Sequence, residues 1–309
     1  MRKSPGRKIV SRGLILLTSL GCATHVNALS VTNFPAADTS LMEVAPDHHN
    51  GGQGFVLAGR TQNGPHNRAL YRFDCSNIPG NAIIQSAVLQ LEVTRQPGDA
   101  SAINSPFSLH RMLRPWGEGT NVAVSFPGQG TPATPGEATW THSFYPTNAW
   151  AAPGGAAGVD YLNAESSFQF IYDPDLSPYR FESTPEMVDD VQGWVRQPQN
   201  NYGWILIGDD DTPFTARRFN SREDTNAKPA LEVTYILPTR IDRVQKMGNQ
   251  FTLSFAVLPG QSYTVEYRSA VATGAWQTLV NAGYFTETNR VFLVDAVTAA
   301  QRYYRVGTR

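Results

Sequence analysis

The sequence predicts an all-β protein made of two sandwiches, the larger of which carries one short helix. Three observations lead to this fold class. Short runs of alternating apolar and polar residues recur along the chain, Gly, Pro, Asn and Asp separate these runs, and one segment alone has the period of an α-helix. The 309 residues are 41% hydrophobic, which supplies enough apolar side chains for one large or two ordinary cores.

Residues 1–28 have the composition of a secretory signal peptide. Five basic residues and no acidic residue occur in 1–12, an apolar run follows at 14–20, and the segment ends on the small residue Ala28. The apolar run is shorter than the roughly 20 residues that cross a bilayer. We therefore expect cleavage near Ala28 and a secreted or cell-surface protein that does not span a membrane. Lipid attachment at Cys22 is the less favoured alternative, because Ser19 stands where such signals place an aliphatic residue.

Charge is distributed unevenly over the rest of the chain. Residues 29–237 hold 12 Lys+Arg and 22 Asp+Glu, a net charge of −10, whereas residues 238–309 hold 8 and 4, a net charge of +4. The acidic domain offers no broad basic surface, so we expect no nucleic-acid partner. The opposite signs suit docking between the domains or attraction to a surface. Cys75 is the one cysteine beyond the leader, so we expect no internal disulfide and a buried thiol.

Residues 29–237 contain the strands of the larger sandwich and its helix. The strand segments are 68–73, 87–93, 166–172, 202–207 and 230–236. The helix is predicted for 184–195, where Thr184 can cap the first turn, Pro185 suits its start and Glu186 complements the helix dipole. Its apolar residues recur at helical spacing, so we expect it to close one end of the sandwich.

Pro238 marks a boundary, and residues 239–309 form a second unit. Strands are expected near 251–256, 263–268, 276–279, 291–294 and 303–306. About seventy residues with this pattern are typical of a small immunoglobulin- or fibronectin-like sandwich. The domain organisation is therefore a leader at 1–28, a large sandwich at 29–237 and a small sandwich at 238–309.

A set of short motifs runs in order through the large domain. They are Ala37-Asp38-Thr39, Arg68-Ala69-Leu70-Tyr71-Arg72-Phe73-Asp74, Ile78-Pro79-Gly80, Trp116-Gly117-Glu118-Gly119, Asn201-Tyr202-Gly203-Trp204 and Phe219-Asn220-Ser221-Arg222-Glu223. On these motifs the domain resembles the DNRLRE-domain family of carbohydrate-binding modules, family ninety-six. The resemblance implies a jelly-roll-type sandwich that binds polysaccharide, alginate among the known targets. Such modules usually accompany an enzyme, and here no catalytic domain is recognised. The C-terminal unit looks like the accessory sandwich of many exported bacterial proteins.

Aromatic residues in the loop-rich middle of the domain are the candidate sugar platforms. Sugars bind through flat aromatic faces, and such platforms are usually displayed on loops. Trp150, Tyr145 and Tyr161 are the candidates, and Trp150 is the best candidate for an exposed platform, with a structural role in the core as its alternative. Four other tryptophans are expected to be structural: Trp116, Trp140, Trp194 and Trp204.

Two arginines and a run of aspartates are the charged candidates. Arg217 and Arg218 could contact an acidic sugar, since a guanidinium pairs with a carboxylate through two hydrogen bonds. We expect Arg222–Glu223 to be an internal structural pair.

Clustered carboxylates with loop carbonyls could hold Ca²⁺, an ion that binds oxygen ligands. The candidate ligands are Asp209, Asp210 and, from elsewhere in the chain, Asp38. The alternative is a solvated turn, which is slightly favoured because the three consecutive side chains of 209–211 cannot all face one ion. No zinc-protease, nucleophile-elbow or phosphate-loop motif occurs.

The sequence leaves three functions open. The first is an exported, non-catalytic module that binds a neutral or acidic polysaccharide. The second is a surface-structural or adhesive sandwich without a specific glycan ligand. The third is a polysaccharide lyase or hydrolase whose scattered catalytic residues leave no local motif.

Overall fold

The computed structural model describes residues 28–98, 103–257, 261–271, 273–287, 289–296 and 301–308. The predicted leader therefore lies almost wholly outside the described residues. The described chain divides into two compact units, Ala28–Leu237 and the part that follows Pro238. The structure is 48% strand and 8% helix, which confirms the all-β sandwich class.

The large unit contains sixteen strands and one α-helix among its described residues. The strands are β1 Leu29–Asn33, β2 Pro35–Met42, β3 His48–His49, β4 Phe55–Arg60, β5 His66–Phe73, β6 Ile83–Leu91, β7 Val93–Arg95, β8 Ser105–Arg111, β9 Thr131–Pro132, β10 His142–Phe144, β11 Asn148–Ala149, β12 Ser167–Ile171, β13 Tyr179–Phe181, β14 Trp204–Gly208, β15 Arg217–Asn220 and β16 Ala230–Ile236. The helix is α1, Pro185–Arg196, and short 3₁₀ turns occur at Pro127–Gln129, Pro174–Leu176 and Pro198–Asn200.

Two antiparallel sheets form this unit. The smaller sheet has the order β1-β16-β6-β13. The larger sheet has the order β12-β8-β14-β5-β4-β15-β7, with β2 paired to β5. The short strands pair separately, β3 with β9 and β10 with β11. Strand β12 is thus the last strand of the larger sheet on one side.

The main core fills the space between these two sheets. On β5, Ala69, Tyr71 and Phe73 point into it, because alternate residues of a strand share a face. Helix α1 adds Val191 and Trp194 to the same core. The side chain of its predicted cap, Thr184, accepts the N–H of Met187 over 3.0 Å, and its predicted start at Pro185 is confirmed.

A second core lies on the opposite face of the larger sheet. Leu70 of β5 and Ile205 of β14 point toward it, and the long connection between β8 and β12 covers them. That connection contributes four large aromatic side chains: Trp116, Trp140, Trp150 and Tyr161. The larger sheet is therefore buried on both faces where these residues cover it, so the unit has three layers there. The structural assignments of Trp116, Trp140, Trp194 and Trp204 and the burial of Cys75 are confirmed.

The C-terminal unit is a second small sandwich of two three-stranded sheets. Its strands are β17 Ile241–Met247, β18 Gln250–Val257, β19 Gln261–Arg268, β20 Gln277–Phe285, β21 Asn289–Ala296 and β22 Tyr303–Thr308. One sheet has the order β17-β18-β21 and the other the order β20-β19-β22. The side chains of Phe255, Tyr263 and Leu293 lie in the core between them. The sequence predicted every strand of this unit except β17.

The longest helix in the described part of the chain is α1, with 12 residues. Within that part, no helix has the length and apolar character needed to cross a membrane.

Candidate functional site

Trp150 is buried, with 5% of its surface exposed, so the prediction that it is an exposed platform is wrong. Its indole nitrogen donates to the carbonyl of Thr139 over 2.9 Å, and the guanidinium of Arg114 lies 5.9 Å from its ring centre. The ring belongs to the second core, where covering the outer face of the sheet requires large apolar side chains. Trp150 therefore has a structural role.

The two predicted tyrosine platforms differ in exposure. Tyr161 is buried in the second core beside Trp150, so it offers no accessible ring face. Tyr145 is half-buried, and its ring meets the ring of His142 edge-on at 5.4 Å. Only Tyr145 keeps part of its ring available to a ligand.

Arg217 is buried, with 1% exposure, and is not available to an acidic sugar. Its Nε donates to the carbonyl of Tyr172 and its Nη2 to that of Ile103, each over 2.5 Å. Burial lowers the pKa of the guanidinium. Arg217 therefore holds backbone carbonyls in place, and the prediction that it contacts a ligand is corrected.

Arg218 is half-buried and lies over the ring of Phe55, with 3.6 Å between the guanidinium carbon and the ring centre. It lines an open cleft of about 220 Å³ together with Arg95 and Gln96. Burial lowers the pKa of Arg218, and the charge of Arg95 adds to the effect. Of the two predicted arginines, Arg218 is therefore the one that a ligand can reach, because it lines this cleft while Arg217 is buried.

The predicted aspartate ligands do not converge on Asp38. The carboxylate of Asp209 accepts the N–H groups of Asp211 and Thr212, over 2.9 and 3.1 Å, and so closes its own turn. Asp210 pairs with Arg68 over 2.8 Å. These side chains serve local structure, and the predicted grouping with Asp38 is corrected.

Asp38 instead meets two glutamates from distant parts of the chain. Ligand oxygens of Asp38, Glu118 and Glu223 all lie within 4.8 Å of one another, and we call these residues the carboxylate cluster. Glu118 comes from the long connection after β8, and Glu223 follows β15. Arg222 joins them, because its Nη2 lies 2.8 Å from Glu118 Oε2 and 2.8 Å from Glu223 Oε1. The predicted Arg222–Glu223 pair is thus confirmed as part of a larger group.

Backbone groups complete the inner side of the carboxylate cluster. Asp38 Oδ2 accepts the N–H of Arg222, and Glu118 Oε1 accepts the N–H of Asp38, each over 2.7 Å. Burial raises the pKa of Asp38 well above its usual range, and it raises the pKa of Glu118 to about 7. Burial therefore makes ionisation of Asp38 and Glu118 unfavourable in the absence of a positive partner.

The loop that carries Glu118 packs closely against the segment that follows β3, and this contact depends on a glycine. A side-chain Cβ at Gly51 would lie 2.1 Å from the carbonyl oxygen of Glu118, a distance at which atoms overlap. Only glycine allows this contact without a shift of the backbone. The motif that contains Glu118, Trp116-Gly117-Glu118-Gly119, was the one sequence signal for this part of the cluster.

A second surface is formed by three aromatic side chains on and after β12. Phe168, Phe170 and Tyr172 occupy every second position and are 56%, 51% and 39% exposed, and we call them the aromatic row. Of the alternate residues, Ser167 and Ile171 are buried and Gln169 is half-buried. The rings of Phe168 and Phe170 meet edge to face at 6.2 Å. The row faces away from the main core, because Ser167 and Ile171 occupy the inner face of the strand.

The end of the aromatic row is fixed by buried polar groups. The hydroxyl of Tyr179 accepts the N–H groups of Tyr172 and Asp173, over 3.1 and 3.0 Å, and donates to the carbonyl of Asp173 over 2.8 Å. Arg217 holds the carbonyl of Tyr172 from the other side. An exposed apolar surface on a rigid strand is a feature of binding sites.

Two open clefts meet at Tyr202. One, of about 320 Å³, is lined by Arg72, Asp74 and Asn201, and the other, of about 340 Å³, by Arg111 and other residues around the end of α1. The guanidinium of Arg72 lies over the ring of Trp116 at 5.7 Å. These clefts combine an aromatic ring with planar polar groups, and they are the third candidate surface.

In comparisons with known proteins, no family model and no curated protein matches this chain. The case for a function therefore rests on the geometry of these surfaces and on the sequence motifs.

Proposed function

We propose that this chain is an exported, non-catalytic protein that binds polysaccharide, and that the aromatic row is the surface that contacts the glycan. The observation that carries the proposal is the exposure of Phe168, Phe170 and Tyr172 on one side of a braced strand. The C–H bonds of a pyranose ring carry partial positive charge, and an aromatic face carries partial negative charge, so the two surfaces attract.

The spacing of the aromatic row suits an extended ligand. Residues two apart on a strand are separated by about 7 Å along the chain direction. A polymer lying along β12 can therefore meet several rings in succession. Each contact adds to the same binding free energy, so a chain binds more tightly than a single sugar.

The charges beside the aromatic row favour a neutral polysaccharide over an acidic one. Glu165 precedes the row and accepts a hydrogen bond from Ser108 over 2.6 Å. Asp173 and Asp175 follow it. A polyanion such as alginate would meet repulsion here, whereas the same carboxylates can accept hydrogen bonds from the hydroxyls of a neutral glycan.

The resemblance to carbohydrate-binding modules supports the same proposal, and the predicted signal peptide supports a location outside the cytoplasm. A surface-structural role is the alternative, and one observation favours it. Strand β12 ends the larger sheet, and an apolar surface at such an edge can also mediate self-association.

Affinity gel electrophoresis of the mature protein tests the proposal, with neutral and acidic polysaccharides cast into the gel. We expect retardation by at least one neutral glycan. Phe170→Ala removes one ring contact, worth about 0.5–1.5 kcal/mol, and should weaken retardation up to about tenfold. Phe34→Ala is the matched control, because Phe34 is 56% exposed and lies outside the row.

Three other outcomes would overturn parts of the proposal. If no glycan retards the protein, the binding function is ruled out. If light scattering then shows concentration-dependent dimers that Phe170→Ala abolishes, the aromatic row serves self-association. If Arg72→Gln loses retardation and Phe170→Ala keeps it, the glycan binds in the clefts at Tyr202 and not on the aromatic row. Release of reducing ends or unsaturated sugars would show that the protein is an enzyme.

A further inference from the structure

The carboxylate cluster carries more negative charge than its neighbours compensate. Asp38, Glu118 and Glu223 supply three negative charges when ionised, and Arg222 supplies one positive charge. When all three carboxyls are ionised, the cluster carries two more negative charges than Arg222 offsets, and Arg72 acts on Glu118 as a further positive neighbour. Asp38 is fully buried and the two glutamates are partly buried, so water screens these charges poorly.

Two oxygens of the cluster have no hydrogen-bond partner. They are Asp38 Oδ1 and Glu223 Oε2, and both are buried. Of the other carboxylate oxygens, Asp38 Oδ2 and Glu118 Oε1 accept backbone N–H groups. Glu118 Oε2 accepts from Arg222, and Glu223 Oε1 forms an ion pair with it. Buried polar atoms are almost always paired, so two orphaned oxygens in one cluster point to a missing positive partner.

We propose that the carboxylate cluster binds one divalent cation, with Ca²⁺ as the preferred ion, and that the ion ties together three distant segments of the large unit. The ligands would be oxygens of Asp38, Glu118 and Glu223, with water completing the shell. One divalent ion neutralises the two charges that Arg222 does not offset. The proposal concerns stability and does not depend on the glycan-binding function.

The donor set selects the class of metal. All three ligands are carboxylates, which bind hard cations, and Zn²⁺ or Cu²⁺ sites favour imidazole and thiolate ligands. No histidine belongs to the cluster among the described residues, and Nε2 of His49 lies 3.0 Å from a carboxylate oxygen of Glu137. Ca²⁺ accepts irregular oxygen shells, whereas Mg²⁺ demands a near-octahedral one, so segments this far apart in sequence favour Ca²⁺.

The ion would reinforce contacts between segments that lie far apart in the sequence. Asp38 lies on β2, Glu118 lies in the loop layer and Glu223 follows β15. A cation that binds only the folded arrangement stabilises it by mass action, because the unfolded chain cannot bring these three residues together.

Isothermal titration calorimetry of the mature protein, freed of metal with a chelator, tests the site with CaCl₂ and with MgCl₂. We expect one Ca²⁺ per chain, weaker binding of Mg²⁺, and a rise in melting temperature on adding Ca²⁺. Glu223→Gln removes one charged ligand from a partly exposed position and should weaken Ca²⁺ binding about tenfold or more. Asp224→Asn, one residue along, should leave binding unchanged within about twofold, because Asp224 lies outside the cluster.

The variants also distinguish the cluster from the aspartate turn. If Asp209→Asn abolishes Ca²⁺ binding and Glu223→Gln does not, the ion binds at the turn and the proposal is overturned. A wild-type protein that binds no Ca²⁺ and melts at the same temperature with and without chelator overturns it as well. Equal losses in Glu223→Gln and Asp224→Asn would indicate nonspecific attraction to acidic surface, which also contradicts a built site.

Discussion

The indole nitrogen of Trp204 donates to Asp190 Oδ2 over 2.8 Å inside the main core. The same oxygen accepts the hydroxyl of Ser166 over 2.5 Å, and Asp190 Oδ1 lies 3.3 Å from the guanidinium of Arg111. One carboxylate thus links helix α1 to β14, to β8 and to the residue before β12. Asp190 is the only charged residue of α1 that is buried, and all residues of α1 are described.

Asp190 should make the stability of the large unit depend on pH. Burial raises the pKa of its carboxyl above 3.8, although hydrogen bonds from Ser166 and Trp204 act in the opposite direction. The folded state then holds a proton at pH values where the unfolded chain has lost it. The free energy of unfolding should therefore fall as pH rises from the unfolded pKa through the folded one.

Denaturant unfolding at several pH values between about 4 and 7 measures this slope in the wild type and in Asp190→Asn. The variant cannot titrate, so its curve should lack the contribution of Asp190. The control is Glu186→Gln, which removes an exposed carboxylate from the same helix. Asp189→Asn is a poorer control, because Asp189 is the neighbour of Asp190 and its charge affects the pKa of Asp190. If the free energy of unfolding of Asp190→Asn depends on pH as strongly as that of the wild type, Asp190 is not the source of the dependence.

Replacing Arg217 should weaken the fold rather than a ligand contact alone. Arg217→Met leaves the part-buried carbonyls of Tyr172 and Ile103 without their donor and removes a buried side chain, at a total cost of about 2–3 kcal/mol. Arg218→Met should cost about 1 kcal/mol, mainly from lost stacking on Phe55. Equilibrium unfolding in urea compares the two. If both variants lower the free energy of unfolding by the same amount, the hydrogen bonds of Arg217 do not stabilise the fold as proposed.

Trp150→Phe should lower stability and leave glycan retardation intact. The smaller ring opens a gap in the second core and removes the hydrogen bond to Thr139, which together should cost about 1–3 kcal/mol. Val124→Ala, at a position that is 97% exposed, should change stability by less than about 0.5 kcal/mol. A stable Trp150→Phe variant that has lost retardation would restore Trp150 as a sugar platform.

Gly51→Ala should disturb the loop that carries Glu118. The added methyl overlaps the carbonyl oxygen of Glu118, and the resulting shift should cost about 1–3 kcal/mol or more. A methyl at Gly128 meets no atom within 4 Å, so Gly128→Ala serves as the control. Thermal unfolding in chelator separates this steric effect from any effect of bound metal. Matching melting temperatures for the two variants would contradict the close approach.

Local features of the fold were predictable because their causes are local. Thr184 and Pro185 define the start of α1 through a cap hydrogen bond and a fixed backbone angle, both readable from neighbouring residues. The alternating pattern around Ala87 likewise identifies β6. Such signals require no knowledge of which segments meet in space.

The candidate sites were not predictable, because they depend on which face of an element is covered. The alternation at 167–172 does not by itself show that Ser167 and Ile171 point inward while Phe168 and Phe170 face solvent. Trp150 is buried for the related reason that a loop layer forms over the sheet. The sequence predicts Asp38 as a candidate metal ligand, but it pairs Asp38 with the aspartates of 209–211, because the two glutamates that Asp38 meets in the fold lie far from it in the sequence.

The three-layer construction has a consequence for how this chain tolerates change. Loops on an ordinary two-layer sandwich can be shortened, exchanged or cut with little loss, because they cover nothing. Here the connection between β8 and β12 covers Leu70 and Ile205 on the outer face of the larger sheet. Cleavage or deletion within it would expose an apolar sheet surface to solvent and turn the protein toward aggregation. The segment that looks most like dispensable loop is therefore the one whose length and sequence are least free to vary.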